Sequence, residues 1–329
     1  MTTDPVIHPP SSPRDSRSLF LAGPTAVGKS QIALALAEKI GGEIISVDSM
    51  QVYRGLDIGT AKPSPAERER VPHHLLDLCE LDEPFDVARF IRLAKQATAD
   101  IQSRNRVPLF CGGTGLYFKG YLSGLGEAPA ANPELRAQLE ALPFETLLHE
   151  LRESDPAAYE KIDKQNPRRV IRAVEVIRVT GKKFSEQRAN WKEENAAEPG
   201  EPLFCFRRAP DDLRQRMDRR VEEMFRRGLV AETEQLLSHG LEKNQTAMQA
   251  IGYRQVVEHL RGERSLADTI ELVKIKTRQF AKRQLTWFRS QKNVRWVELP
   301  PGDAPEEVVK MILAGVGPGK EPPTADRPA

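Results

Sequence analysis

The sequence is poor in cysteine, nearly neutral in charge and without a long apolar run. Its three cysteines, Cys79, Cys111 and Cys205, include no Cys-x-x-Cys pair, which excludes a disulfide scaffold and a structural zinc site built from thiolates. Lysine and arginine number 49 against 47 aspartate and glutamate residues, a formal charge of +2, so any basic partner surface must be local. No apolar stretch approaches the length of a membrane span. We therefore expect a cytoplasmic protein of a reducing compartment that does not bind membranes.

Short apolar runs alternate with helical patterns along most of the chain. The strand candidates are Leu19–Leu21, Glu43–Val47, Val107–Cys111, Leu203–Phe206 and Val294–Leu299. Helical patterns begin at Lys29 and cover about 86–105, 211–239 and 265–289. Strands and helices that alternate in this way predict an α/β fold, a parallel sheet flanked by helices.

Residues 127–192 follow a different pattern. Helical stretches begin there at Pro133, Phe144, Pro156 and Pro167, with no convincing strand between them. We interpret the region as a helical insertion domain between two parts of the core, 18–126 and 193–300. Residues 1–17 and the end of 301–329 carry too little apolar surface to fold, so we expect a disordered extension at the start and, after a C-terminal helix, a disordered tail.

A phosphate-binding motif lies between the first strand and the first helix. Residues 23–30 read GPTAVGKS, which is G-x-x-x-x-G-K-S and makes the predicted sheet one of the P-loop type. Glycines let the backbone N–H groups point inward, and Lys29 adds a point charge. The Ser30 hydroxyl can ligate Mg²⁺, the expected cofactor. The residues expected to cradle a diphosphate or longer chain are Gly23, Thr25, Ala26, Val27, Gly28, Lys29 and Ser30. The motif alone leaves open a kinase or nucleoside triphosphatase and an enzyme whose substrate leaves as diphosphate.

Polar residues follow the next two predicted strands. Asp48 comes directly after Val47, and Thr114 lies in the turn GGTGLY after Cys111. The carboxyl ends of adjacent strands share one crevice in a doubly wound sheet, so we expect both side chains to face the P-loop. A carboxylate there can accept a proton from a nucleophile or hold a metal-bound water, whereas its structural alternatives are a helix N-cap and an Asx-turn. The Gln51 amide can read a purine edge.

The first of two local basic regions runs from Leu272 to Val297. It contains no acidic residue and eight basic ones, Lys274, Lys276, Arg278, Lys282, Arg283, Arg289, Lys292 and Arg295. On a helix Lys274, Arg278 and Lys282 share one face, and Leu272, Ile275 and Leu285 can face the core. The absence of carboxylates favours phosphate binding over a solvated charged face.

The second basic region is Gln165–Arg169. Asn166 is a plausible N-cap and Pro167 suits the first helical position, which places Arg168 and Arg169 in the first turn. Cations there oppose the helix dipole by about 0.3–1 kcal/mol each. An anion that binds these arginines would offset that cost; we favour nucleic-acid phosphate, and an intramolecular carboxylate is the alternative.

The chain resembles the bacterial tRNA dimethylallyltransferases. It carries, in the order seen in that family, GPTAVGKS, DSMQVYRGLDIGTAKP, VPHHLLD, GGTGLY, NPRRVIRAVEV, AIGYRQ and TRQFAKRQLTWFR. The resemblance covers about residues 18–300. It implies transfer of a dimethylallyl group from dimethylallyl diphosphate to the N6 amine of the adenine immediately 3′ of the anticodon (tRNA position 37), with release of diphosphate. It also implies a P-loop α/β core with a helical insertion that grips the anticodon stem-loop.

The resemblance further implies roles for single residues. The P-loop and Arg283 would hold the prenyl diphosphate, Asp48 would be the base, and Thr114 its partner at the amine. The implied tRNA contacts are Asp48, Ser49, Met50, Gln51, Thr114, Arg136, Gln165, Asn166, Pro167, Arg168, Arg169, Ala250, Ile251, Gly252, Tyr253, Arg254, Gln255, Arg278 and Lys282. We expect tRNA and dimethylallyl diphosphate as partners of a monomer.

Two other functions compete with this one. A P-loop kinase of a nucleoside or small metabolite would account for the phosphate loop, Asp48 and magnesium but not for the acid-free basic helix. A non-enzymatic RNA-binding module would account for the basic regions but not for a P-loop that faces Asp48 and Thr114.

Overall fold

The computed structural model describes residues 18–124, 129, 132–189, 203–244, 246–302 and 305–314. The strands β1 to β6 are Leu19–Ala22, Gly42–Val47, His73–His74, Val107–Gly112, Leu203–Arg207 and Val294–Glu298. The helices α1 to α14 are Lys29–Ile40, Pro65–Arg70, Val87–Ser103, Gly115–Ser123, Pro133–Glu140, Phe144–Ser154, Pro156–Lys161, Pro167–Thr180, Phe184–Ala189, Pro210–Arg226, Leu229–Ser238, Tyr253–Leu260, Leu266–Arg289 and Pro305–Leu313. Two 3₁₀ helices, Leu241–Lys243 and Ala247–Gln249, precede α12.

The strands form one parallel sheet flanked by helices, in the order β3-β2-β4-β1-β5-β6. The predicted fold class is therefore confirmed. Gly112 at the end of β4 is in register with both Val47 of β2 and Ala22 of β1. The loops that follow these three strands consequently begin side by side at one edge of the sheet, where parallel sheets place their ligands.

The elements beside the sheet form where local signals predict them. In α1 the buried residues Ile32 and Leu36 face the core, and Gly41 ends the helix in the left-handed region at φ 64°. The pattern at 211–239 is two helices, α10 and α11, because Gly228 between them adopts φ 100°. The sequence patterns missed β3, α2, α4, α9 and α12, all shorter than ten residues. None of the described helices is long and apolar enough to cross a bilayer.

The chain divides into two compact units. One, here the sheet unit, comprises Met1–Phe118 and Glu201–Ala329, and the other, here the helical unit, comprises Lys119–Gly200. The helical unit therefore begins within α4, whereas the boundary expected at 126/127 falls outside the described residues. The disorder expected in 1–17 and at the end of the chain also lies outside them, and the expected C-terminal helix is α14.

Within the helical unit the four predicted helix starts are confirmed. The helices α5 to α8 begin at Pro133, Phe144, Pro156 and Pro167. Asparagine or aspartate side chains cap α5, α7 and α8, each directly before the proline. The buried core of this unit contains Leu147, Leu151, Val170 and Val174.

Candidate active site

The P-loop follows β1 and has the curled backbone that its sequence predicts. Gly28 adopts φ 107° and Ala26 φ 62°, both in the left-handed region. A Cβ atom on Gly23 would lie 2.9 Å from the carbonyl oxygen of Phe206 in β5, so only glycine fits there. Lys29 is the first residue of α1, and its Nζ donates to the carbonyl oxygen of Pro24 at 2.7 Å.

Two arginines hold this loop from the β5–α10 segment. Arg208 Nε donates to the carbonyl oxygen of Val27 at 2.8 Å, and Arg216 Nε donates to that of Ala26 at 3.0 Å. Charge-assisted bonds of this kind are about twice as strong as neutral ones. They stabilise the unusual conformation of Ala26 and occupy carbonyl oxygens of the loop rather than its N–H groups.

A cavity of about 430 Å³, here the basic cavity, opens beside the P-loop. Its charged lining residues are Lys29, Lys62, Arg216, Arg219 and Arg220, with Glu67 as the acid. Cations in such excess concentrate a polyphosphate ligand.

The Lys29 ammonium loses its proton at a lower pH than an ordinary lysine does. Burial lowers the pKa of its ammonium from 10.5 to about 8. Burial also raises the pKa of the neighbouring Cys111 thiol to about 11 and that of Cys205 to about 12. Near neutral pH both thiols are therefore uncharged, and the ammonium remains available to an anionic ligand.

A second cavity of about 310 Å³, here the mixed cavity, adjoins the loops after β2 and β4. Asp48, Thr114, Thr25 and Arg283 contribute polar groups to its wall. Its apolar lining consists of Met50, Val221, Met224, Ala250, Ile251, Val273 and Phe280. Arg220 lines both cavities, so a ligand with an anionic end and an apolar end can contact both at this residue.

Asp48 and Thr114 come together as the sequence predicts. Asp48 Oδ1 accepts hydrogen bonds from the backbone N–H groups of Met50 at 2.8 Å and Gln51 at 3.3 Å. The Asx-turn weighed as an alternative role is thus present as well, and it orients the carboxylate. No described residue donates to Oδ2. The Thr114 N–H donates to the carbonyl oxygen of Val47, next to Asp48.

The basic helix α13 contributes a glutamine that contacts two loops of the site. The buried Gln284 accepts from the Thr25 N–H at 2.9 Å and donates to the carbonyl oxygen of Gly113 at 3.0 Å. Arg283 is exposed, lies over the ring of Phe280 and lines the mixed cavity.

Gln51 is not placed to read a base, contrary to the sequence-based interpretation. Its Oε1 accepts from the Ser46 hydroxyl at 2.8 Å, and its Nε2 donates to the carbonyl oxygens of Thr60 and Ala61. These bonds occupy the amide within the protein. Gln51 therefore fastens the loop that carries Asp48.

Two residues of the AIGYRQ segment are also turned inward. The Tyr253 side chain is fully buried, and its hydroxyl donates to Glu232 at 2.6 Å. Glu232 in turn accepts from the backbone N–H of Ile58 at 2.8 Å, while Gln255 binds the N–H of Gly252. The prediction that these two side chains contact tRNA is wrong for this structure, because protein groups occupy them; they position the neighbouring loops.

The acid-free face of α13 is neutralised from another helix. Arg278 donates to both carboxylate oxygens of Asp218 at 2.9 Å, and Lys274 pairs with Glu222 at 2.7 Å. Lys274 also pairs with Glu271 of α13 itself at 2.8 Å. The argument from missing carboxylates therefore fails for these two residues, since α10 and the residue just before Leu272 supply the acids. Ile275, expected in the core, is 42% exposed. Lys282 is exposed on the same helix.

In the helical unit, Asn166 caps α8 by accepting from the N–H of Arg169, and Arg168 and Arg169 are exposed in its first turn. Gln165 and Pro167 are exposed beside them. Arg136, by contrast, binds the fully buried Glu175 at 2.6 Å. Its predicted contact with tRNA competes with an ion pair.

Sequence reasoning missed Arg208, Arg216, Arg220 and Gln284. The three arginines precede or belong to a helix of mixed charge, PDDLRQRMDRRVEEMFR, whose pattern is typical of a solvated surface. Arg216 and Arg220 are spaced i, i+4, and this spacing was the signal in the sequence that could have placed them on one helix face.

Comparison with known proteins identifies the family of the chain. The family model described as IPP transferase matches residues 51–291. A tRNA dimethylallyltransferase 1 of Trichlorobacter lovleyi is 46% identical over 293 residues, 88% of this chain and 95% of the relative. The tRNA dimethylallyltransferase of Geobacter sulfurreducens is 43% identical over 87% of this chain and 93% of its own.

Solved structures give the same result. The tRNA isopentenylpyrophosphate transferase of Bacillus halodurans superposes with a TM-score of 0.66 at 37% identity, over 91% of this chain and 96% of that one. A eukaryotic dimethylallyltransferase acting on tRNA superposes with a TM-score of 0.75 at 28% identity, over 91% and 80%.

Proposed function

The chain belongs to the IPP transferase family, and we propose that it moves a dimethylallyl group from dimethylallyl diphosphate to the N6 amine of the adenine 3′ of the anticodon. The protein is a tRNA dimethylallyltransferase, a prenyltransferase that modifies tRNA. One observation carries the assignment of the site: Arg220 lines both the basic cavity at the P-loop and the mixed cavity that holds Asp48 and Thr114. A kinase of small metabolites is not favoured, because the curated relatives transfer prenyl groups to tRNA.

The diphosphate end of the donor binds in the basic cavity. The P-loop, Lys29 and Arg220 line that cavity, and Arg283 of α13 lines the mixed cavity, which shares Arg220 with it. These groups neutralise the charge that grows on the leaving diphosphate as the allylic C–O bond breaks. The apolar wall of the mixed cavity suits the five-carbon prenyl group.

The acceptor amine enters beside Asp48 and Thr114. As the N6–carbon bond forms, the diphosphate leaves with the electron pair of the C–O bond and the amine loses a proton to Asp48 Oδ2. The adenine must leave its stack to reach this position, and the loop Asp48–Met50 and Ala250–Ile251 line the cavity that would receive it.

Ser30 fits the expected magnesium ion. Its side chain is exposed at the start of α1 and lines the basic cavity, and magnesium commonly takes few protein ligands beside phosphate oxygens and water. The ion would supply additional charge neutralisation on the diphosphate.

The remaining tRNA contacts are proposed on the half-buried cap Asn166 and on exposed residues. The exposed ones are Gln165, Pro167, Arg168 and Arg169 in the helical unit and Arg254 and Lys282 in the sheet unit. A monomeric state and a cytoplasmic location stay predictions.

The function is tested by incubating the protein with unmodified tRNA and dimethylallyl diphosphate and analysing the nucleosides by mass. We expect one dimethylallyl group on the adenosine next to the anticodon. Unmodified tRNA together with phosphoryl transfer from ATP to a small acceptor would support the kinase instead.

The lowered pKa of Lys29 predicts a pH dependence of donor binding. Free protein loses the ammonium charge as the pH rises through about 8, and a bound diphosphate, which favours the charged form, raises that pKa. The KM for dimethylallyl diphosphate should therefore increase above pH 8, by up to about tenfold per unit. A Lys29→Arg variant keeps its charge throughout, so its profile should lack this rise. Parallel profiles for the two proteins would contradict the assignment to Lys29.

Arg168 and Arg169 are expected to bind RNA phosphate. The double variant Arg168→Gln, Arg169→Gln should lose tRNA affinity, and the slope of log affinity against log salt should become shallower by about one to two units. For the single variant Arg169→Gln the free energy of unfolding should stay equal or rise slightly, because one unfavourable charge–dipole interaction disappears. Lys182→Gln, beyond the other end of α8, is the control. A lower free energy of unfolding, with an unchanged slope of log affinity against log salt, would instead indicate that the arginines pair with carboxylates within the protein.

A further inference from the structure

Gln284 joins the two halves of the proposed active site. Its Oε1 accepts from the N–H of Thr25 in the P-loop, and its Nε2 donates to the carbonyl oxygen of Gly113, the residue before Thr114. These partners determine the orientation of the amide, because an N–H group requires the oxygen and a carbonyl requires the NH₂ group. Among charged and hydroxyl side chains, none offers a fixed acceptor and a fixed donor on one rigid plane.

The contact with the Gly113 turn is too close for a larger residue. A Cβ atom on Gly113 would lie 2.2 Å from Gln284 Nε2, and one on Gly115 would lie 2.2 Å from the Trp287 ring. The glycines of the GGTG turn thus allow α13 to press against the backbone that presents Thr114. Gln284 as a residue is 8% exposed, so water competes little for its two bonds.

On the basis of the proposed function, we propose that Gln284 is a positioning residue that sets the separation between the diphosphate-binding loop and Thr114. The donor and the acceptor bind to different loops, and the reaction requires their reacting atoms in line and in contact. A clamp between the loops therefore acts on the rate of the chemical step more than on the affinity for either substrate. Misplacement by about 1 Å can cost about 100-fold in rate.

The test compares Gln284→Glu, Gln284→Met and Gln279→Glu. The glutamate at 284 keeps the acceptor for Thr25 but faces the Gly113 carbonyl with an oxygen, whereas methionine removes both bonds without adding charge. Gln279 is exposed on the same helix and serves as the matched control. We expect kcat to fall about 10- to 100-fold in both Gln284 variants. The KM for each substrate should change less than about threefold. Gln279→Glu should have the kcat and KM values of the wild type.

The outcomes separate this inference from the function on which it rests. Wild-type protein that transfers no prenyl group would overturn the proposed function and the inference together. Active wild type with an unchanged kcat in the Gln284 variants would overturn the inference alone. So would a loss of kcat that merely follows the folded fraction measured by thermal melting. Should the glutamate variant not fold, Gln284→Met gives the same decision.

Discussion

Replacing Asp48 by asparagine is expected to lower kcat by about 10²- to 10⁴-fold while tRNA affinity stays within about twofold. The asparagine Oδ1 can still accept from the N–H groups of Met50 and Gln51, so the turn that orients the side chain is kept. What disappears is the carboxylate oxygen that takes the proton of the amine. The measurement is single-turnover transfer of the dimethylallyl group with saturating tRNA and donor.

Asp86→Asn is the matched control for this substitution. Asp86 is an exposed carboxylate whose Oδ1 accepts from the N–H of Arg89, and it does not line the mixed cavity. Normal turnover in Asp48→Asn would exclude the role as base. A lost tRNA affinity with unchanged kcat would assign Asp48 to RNA binding.

Lys29→Ala should lower kcat/KM for dimethylallyl diphosphate by about 10²- to 10³-fold, a loss typical of removing one group that stabilises transition-state charge. The KM for tRNA should change little, because the basic cavity holds the donor. Arg220→Ala is expected to act on the donor in the same way, since Arg220 lines that cavity too. Steady-state kinetics with the donor varied at saturating tRNA measure the effect.

Lys39→Ala, an exposed lysine in the last turn of the same helix, controls for general loss of positive charge. If the kcat/KM for dimethylallyl diphosphate in Lys29→Ala and in Arg220→Ala equalled that of Lys39→Ala, the P-loop would bind another ligand. An effect confined to tRNA binding would lead to the same conclusion.

Local patterns predicted much of the fold because their signals lie within a few residues. Asn132-Pro133, Asp155-Pro156 and Asn166-Pro167 start α5, α7 and α8, since a capping side chain followed by proline satisfies the free N–H groups of a helix start. The P-loop is readable for the same reason: a strand, a glycine turn and a helix follow one another directly. The prediction that Asp48 and Thr114 lie at the same site needed only the rule that adjacent parallel strands end at one edge of the sheet.

Where side chains find partners outside their own helix, strand or loop, the sequence predicted the residue type but not its use. The amide of Gln51 suited a base edge, yet it binds Ser46 and the backbone near Thr60. Likewise Arg278 belongs to an acid-free segment, but Asp218 lies opposite it once α10 packs on α13.

Local patterns were thus enough to predict the parallel sheet, the phosphate loop, the helix starts of the helical unit and the family to which the chain belongs. The packing of the folded chain was needed to show that Arg220 lines both cavities and that Gln284 joins the P-loop to Gly113. The physical reason is distance along the chain: Thr25 and Gln284 are 259 positions apart. Whether such groups meet depends on how helices rotate and pack, and that is set by the whole core at once.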